Sequence, residues 1–90
     1  MAEYPTGYEV YHALVRLLER SGVVDAGAAV DVTLAPQGNT ATYTVVPTER
    51  AQVPLARALG AILRRKFATD EPSWVLEAAD IPPILAANGD

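Results

Sequence analysis

The stretch Val53-Pro54-Leu55-Ala56-Arg57-Ala58-Leu59-Gly60-Ala61-Ile62-Leu63-Arg64-Arg65-Lys66-Phe67 decides how the rest of the chain is read. Leu55, Leu59, Ile62 and Leu63 recur at the three- and four-residue spacing of a single helix face, which predicts an amphipathic helix with a buried apolar stripe. Pro54 sets its start. Proline has no amide hydrogen and its ring clashes one turn back, so it is tolerated at the first helical position and costly further in. The helix is therefore expected from Pro54, with Thr48–Gln52 as a separate first turn capped by Thr48 and a kink between the two. Gly60 weakens the middle by about 1 kcal/mol relative to alanine and leaves room for a close approach or a bend. Arg57 and Arg64 are seven residues apart and so fall on one outer face.

The same stretch carries most of the positive charge of an acidic protein, whose net charge is −4. Between residues 48 and 67, Glu49 stands against Arg50, Arg57, Arg64, Arg65 and Lys66, and both flanking segments are acidic. The plainer reading is that these cations pair with acids elsewhere in the fold or in a second copy. The sharper one is a basic face for an anionic partner. The overall charge argues against a nucleic-acid binder that works by bulk electrostatics.

Upstream, Thr6-Gly7-Tyr8-Glu9 fits a capping box, in which the threonine hydroxyl takes the amide of Glu9 and the glutamate reaches back to the amide of Thr6. A first helix follows over Gly7–Arg20. Val10, Leu14, Leu17 and Leu18 form its buried stripe, and Gly22 supplies the left-handed residue that ends it. Tyr8 and Val15 widen the stripe, which suggests that part of it meets another chain. Val30-Asp31-Val32-Thr33-Leu34 alternates strictly and predicts a half-buried strand. Ala35–Asn39 reads as a turn, and Thr40–Val46 as a second strand rich in threonine, tyrosine and valine. Pairing Leu34 with Ala41, Val32 with Tyr43 and Val30 with Val45 puts six apolar side chains on one face, whereas a slip of one residue would bury Thr40, Thr42 and Thr44. Beyond the central helix, Ser73–Glu77 reads as a third strand with Trp74 and Leu76 on one face. Asp80–Leu85 is a proline-stiffened tail that starts extended, because each proline restrains its predecessor, with one last helical turn opened by Pro83.

The fold class expected is α+β: a single small domain spanning 1–90, in helix-strand-strand-helix-strand order, with a three-stranded sheet and the helices packed on one face. Residues 1–6 form an N-terminal loop and 80–90 an extended or short-helical tail. A right-handed helical crossover from the second strand to the third would make the sheet mixed.

The chemistry-bearing residues are few. With no cysteine, neither a disulfide nor a thiolate metal site is expected. Ser21 and Ser73 are the only serines, neither in a nucleophile elbow, and His12 is the only histidine. A metal site wants more than one strong ligand at matched spacing, so His12 reads as a solvated histidine. The pairs Asp70–Glu71 and Glu77–Asp80 lack the glycine and spacing of a calcium loop. The glycines match neither a dinucleotide fingerprint nor a phosphate loop, so no cofactor is expected. No N-terminal apolar run follows a basic segment and no apolar stretch is long enough to span a bilayer, so a cytoplasmic protein without membrane contact is expected.

These readings point to a non-enzymatic protein-interaction domain, a small adaptor or inhibitor that forms a homo-oligomer or binds another protein. Its interface candidates are the aromatic and apolar residues Tyr8, Tyr11, Trp74, Ile84 and Leu85, with Arg57, Arg64 and Arg65 reading an acidic partner. An alternative rests on a likeness. The element order is similar to the type II KH topology, and Ala58-Leu59-Gly60 resembles the Ala-x-Gly helix kink of ribosome-binding factor A, a KH-like protein without the usual G-x-x-G loop. That resemblance implies RNA or ribosome binding through Arg57, Arg64, Arg65 and Lys66. A second alternative is an acidic inhibitor that blocks a nucleic-acid-handling enzyme by presenting Asp70, Glu71, Glu77 and Asp80.

Overall fold

The computed structural model describes residues 4–89; of the expected N-terminal loop and tail, residues 1–3 and 90 lie outside that range. The order is α1 (Gly7–Arg20), β1 (Val30–Gln37), β2 (Thr40–Pro47), α2 (Glu49–Leu63), β3 (Trp74–Glu77) and α3 (Ile81–Ala87), with short 3-10 turns at Ala26–Ala28 and Ala78–Asp80. The α+β class, the order and the packing of helices on one face of a three-stranded sheet are as the sequence predicts.

The two ends of α1 follow from local chemistry. The Glu9 amide donates to Thr6 Oγ1 at 3.1 Å, and the Glu9 carboxylate accepts from the Thr6 amide at 3.4 Å. At the other end Gly22 adopts φ +85°, letting its own amide reach Glu19 O and that of Val23 reach Leu18 O, both at 3.0 Å. These two bonds satisfy carbonyls that the last turn would otherwise leave without partners.

The hairpin keeps the predicted face but not the predicted register. The pairs are Leu34 with Tyr43, Val32 with Val45 and Val30 with Pro47, two residues away from expectation. Because side chains alternate with period two, a shift of two leaves every residue on its own face. The cause is the turn. It contains only Gly38 and Asn39, with Gly38 at φ +66°, so Ala35–Gln37 are drawn into β1. Pro36 is compatible with the strand because its nitrogen faces away from β2, on the open edge.

The sheet order is β1-β2-β3 and every pairing is antiparallel, so the mixed sheet expected from a helical crossover does not form. α2 carries the chain about 22 Å from the end of β2, at 1.5 Å per residue. A strand starting there would run parallel. Instead, residues 64–73 bring the chain back alongside α2, where Gln52 Nε2 donates to Glu71 O at 2.9 Å, and β3 starts with Trp74 opposite Val45. The return is pinned by stacked groups: the Arg65 guanidinium lies 5.1 Å over the Phe67 ring, Phe67 meets Trp74 edge-on at 5.6 Å, and Trp74 Nε1 donates to Ala68 O at 2.7 Å.

Both limits of α2 differ from expectation. It runs continuously through Pro54 from Glu49, and the Thr48 side chain makes no capping bond. Proline forfeits one backbone bond there, but Ala51 and Leu55 on either side of it are fully buried, and Thr48 O accepts from the amides of Ala51 and Gln52. Burial of a leucine side chain contributes about 1.5–3 kcal/mol, enough to offset most of what the proline costs. The helix stops at Leu63, because Arg64 is left-handed (φ +54°) and the chain folds back over Gly60, where a Cβ would meet Arg65 O at 3.1 Å. Arg65, Lys66 and Phe67 therefore lie outside the helix, and Arg57 and Arg64 do not share a helical face. Ile62 and Leu63 are half-buried at the margin of the core.

The core itself joins Val10, Leu14 and Leu18 of α1, Leu55 and Leu59 of α2, Tyr43, Val45 and Leu76 of the sheet, and Ile81 and Ile84 of α3, all fully buried. The tail is helical from Ile81, with Pro82 and Pro83 inside the first turn, where a missing amide hydrogen costs nothing. Tyr43 stands at the centre of the sheet, and its hydroxyl donates to Pro5 O at 2.6 Å. Burial raises its phenol pKa above the usual value of 10.0, with the negative charges of Tyr4 and Glu9 acting in the same direction.

Candidate interaction surface

Helix α1 packs its Val10–Leu14–Leu18 stripe inward, which leaves Tyr8 and His12 one turn apart on the outer face. Tyr8 Oη and His12 Nε2 are 2.7 Å apart, and the two rings meet edge-on at 4.5 Å. Tyr11 lies 6.5 Å from Tyr8 and 6.0 Å from His12, and its hydroxyl donates to Gly27 O at 2.6 Å. Three rings thus form one ridge. Tyr8 is its crest, 70 % exposed, while Tyr11 is half-buried and ties the ridge to the turn before β1.

A groove runs along each side of the crest. One, of about 360 Å³, lies between Tyr8, His12 and Ala13 and the half-buried Leu85 of α3, with Glu9 and Arg16 at its rim. The other, about 700 Å³ and open, separates Tyr8 and Tyr11 from β1 and is floored by Val30, Val32 and Leu34. α1 starts over Leu34: a Cβ at Gly7 would stand 3.6 Å from Leu34 Cβ, in ordinary contact.

The second groove borders a free sheet edge. The two-residue turn makes Gln37 and Thr40 the last hydrogen-bonded pair, so Thr33 and Ala35 direct their backbone groups to β2 and Val32, Leu34 and Pro36 direct theirs outward. The bond from the Thr48 amide to Ala29 O at 2.8 Å has the same parity. On this edge the Val32 amide donates to the carboxylate of Asp31 at 3.0 Å. Across the sheet, β3 has a matching device: the outward Glu77 amide donates to Asp80 Oδ2 at 3.0 Å, and Arg65 clamps the same carboxylate with bonds of 3.2 and 3.1 Å.

The structure sorts the other sequence candidates. Trp74 is 6 % exposed and Ile84 is fully buried, so both belong to the chain's own core. Arg65 is committed to Asp80 and Phe67. Arg57 is exposed on α2, and Arg64 and Lys66 are exposed beyond its end. The basic helix face is thereby dispersed, whereas Tyr8, Tyr11 and Leu85 come together around one ridge. Two contributors escaped the sequence reading. His12 reads as a lone solvated histidine, yet it completes the ridge. The outward edge of β1 was signalled by Pro36, since a proline within a strand marks the side on which no partner strand sits.

No protein-family model, no curated protein and no solved structure matches the chain. Among the described residues, no three His, Asp or Glu side chains are grouped to hold a metal ion, and no helix is long and apolar enough to cross a membrane.

Proposed function

We propose that the chain is a non-enzymatic protein-interaction domain that docks its partner on the aromatic ridge of α1 and the free edge of β1. The observation that carries this reading is the ridge itself: Tyr8 stands 70 % exposed on two aromatic neighbours, between a groove to Leu85 and a groove to Val32 and Leu34. Aromatic anchors that are rigidly backed and flanked by apolar recesses are the usual energetic centre of an interface. The backing is present here. The Tyr11 hydroxyl is tied to Gly27 O and Tyr8 is held by His12, so little side-chain freedom is lost on docking.

The experiment is site-specific photo-crosslinking. A benzophenone amino acid replacing Tyr8 should join the protein to one discrete partner, and the same group replacing Val75, which is 60 % exposed on β3 at the opposite edge of the sheet, should not. Equal capture at both positions, or none at position 8, would overturn the reading.

A further inference from the structure

We infer that the partner is a basic segment in extended conformation, which adds to β1 as a fourth strand and supplies the cation that Asp31 lacks. The inference rests on the reading of the α1–β1 surface as a docking site and names its occupant.

The argument starts from the two aspartates. Each edge of the sheet carries an outward amide held by a carboxylate: Glu77 by Asp80, and Val32 by Asp31. A carboxylate on an edge strand is a recognised way of keeping other strands off. Asp80 is fixed in that role by the bidentate guanidinium of Arg65. Asp31 is exposed and, among the described residues, has no cation against it. The guard on β3 is therefore locked and the guard on β1 is not. An incoming strand carrying lysine or arginine opposite Asp31 can draw the carboxylate away while its own carbonyl takes the Val32 amide. One bond opens and two form: the Val32 amide passes to a carbonyl, and the freed carboxylate gains a charge-assisted partner.

The pattern required of the segment follows from the pleat. Its side chains alternate as those of β1 do. Those beside Asp31, Thr33 and Ala35 lie on the solvent face and favour a basic residue next to Asp31. Those beside Val32 and Leu34 enter the groove under Tyr8 and Tyr11 and favour an apolar residue. Main-chain bonds to an exposed edge and alternate pockets for side chains are the terms of β-strand addition. A second copy of this chain fits less well. The β1 sequence Val30-Asp31-Val32-Thr33-Leu34-Ala35-Pro36-Gln37 has no basic residue, so pairing β1 with itself brings two acidic strands together and leaves both aspartates without a cation.

The test uses the full chain and a capped peptide of alternating lysine and valine, with its glutamate–valine counterpart. Amide-resolved NMR should show the Val32 and Leu34 amides gaining exchange protection with the lysine peptide and not with the glutamate one. Asp31→Asn should weaken binding about tenfold, the scale of one charge-assisted bond. N-methylation of alternate peptide residues should abolish binding for one set of positions and spare it for the other, a readout independent of any variant's folding. No protection at millimolar peptide, equal binding of both peptides, or an unaffected Asp31→Asn would each overturn the inference. So would protection of β1 that rises with protein concentration alone, which would make the occupant a second copy. If crosslinking at position 8 succeeds while the β1 amides stay open, strand addition fails and the ridge reading stands.

Discussion

β3 is four residues long and β1 is eight, and each lies at an edge of the sheet. Both have an outward amide occupied by an aspartate, but only Asp80 is held in turn by an arginine. The difference shows two ways of handling a sheet edge. A short edge strand is guarded well enough by its length and one locked carboxylate. A long one relies on a proline with no amide hydrogen and an aspartate that, among the described residues, no cation holds. The guard that can be released lies beside the aromatic ridge, and the locked one lies beside the segment that returns the chain from α2.

The largest effect should come from the strand both edges share. Tyr43→Ala removes a fully buried ring from β2 and should cost about 3–5 kcal/mol in urea unfolding, destabilising the two edges together. A milder change, Tyr43→Phe, should cost about 1 kcal/mol for the lost bond to Pro5 O. It should also alter the alkaline limb of stability. The folded phenol ionises above the usual 10.0, so its contribution is complete below that pH and is lost as pH climbs through the folded value. Tyr43→Phe should remove that part of the fall.

Edge parity is tested by a pair of proline variants. Thr33→Pro deletes an amide that bonds to β2 and should cost about 3 kcal/mol. Val32→Pro deletes one that faces outward, as Pro36 already does, and should cost about 1 kcal/mol or less. Similar losses for both would mean that the β1 edge is assigned the wrong way round.

The two guards should differ in the same direction by smaller amounts. Asp80→Ala breaks the Arg65 clamp and exposes the Glu77 amide, and should cost about 1–2 kcal/mol, partly screened by salt. Asp31→Ala should cost at most about 0.5 kcal/mol, because the Val32 amide then simply bonds to water. A loss at Asp31 as large as that at Asp80 would erase the distinction between the edges. Between these two guards in size falls the turn that defines the β1 edge: Gly38→Ala should lose about 0.5–1 kcal/mol, since φ +66° is strained for any residue with a Cβ.

Local chemistry made much of this legible beforehand. The Thr6–Glu9 capping box and the Gly22 stop act within one turn of chain, and they delimit α1 as read. Alternation from Val30 to Leu34 and from Thr40 to Val46 assigned the faces of the hairpin, because parity survives a slip of two residues. The register itself did not follow, since it depends on how tightly Gly38-Asn39 closes the turn. Of the candidate surface, Tyr8, Tyr11 and Leu85 were legible as apolar residues outside the main stripes. Trp74 and Ile84 are equally apolar, but Trp74 is covered by the returning segment and Ile84 is turned inward where α3 packs on α1 and α2, which no spacing announces.

By itself, the sequence determined the elements from α1 to β3, their order, the inward faces of α1 and of the three strands, and the absence of a thiol-based framework, because all of these follow from spacing and residue type. Only the tertiary structure decided that α2 runs through Pro54, that β3 runs antiparallel and that the cations of residues 57–66 part company. In each case the deciding quantity is a contact between distant segments: Ala51 and Leu55 buried around the proline, Gln52 bonded to Glu71, and Arg65 drawn to Asp80. The same holds for the unequal edges, since Asp31 and Asp80 look alike until one of them meets an arginine.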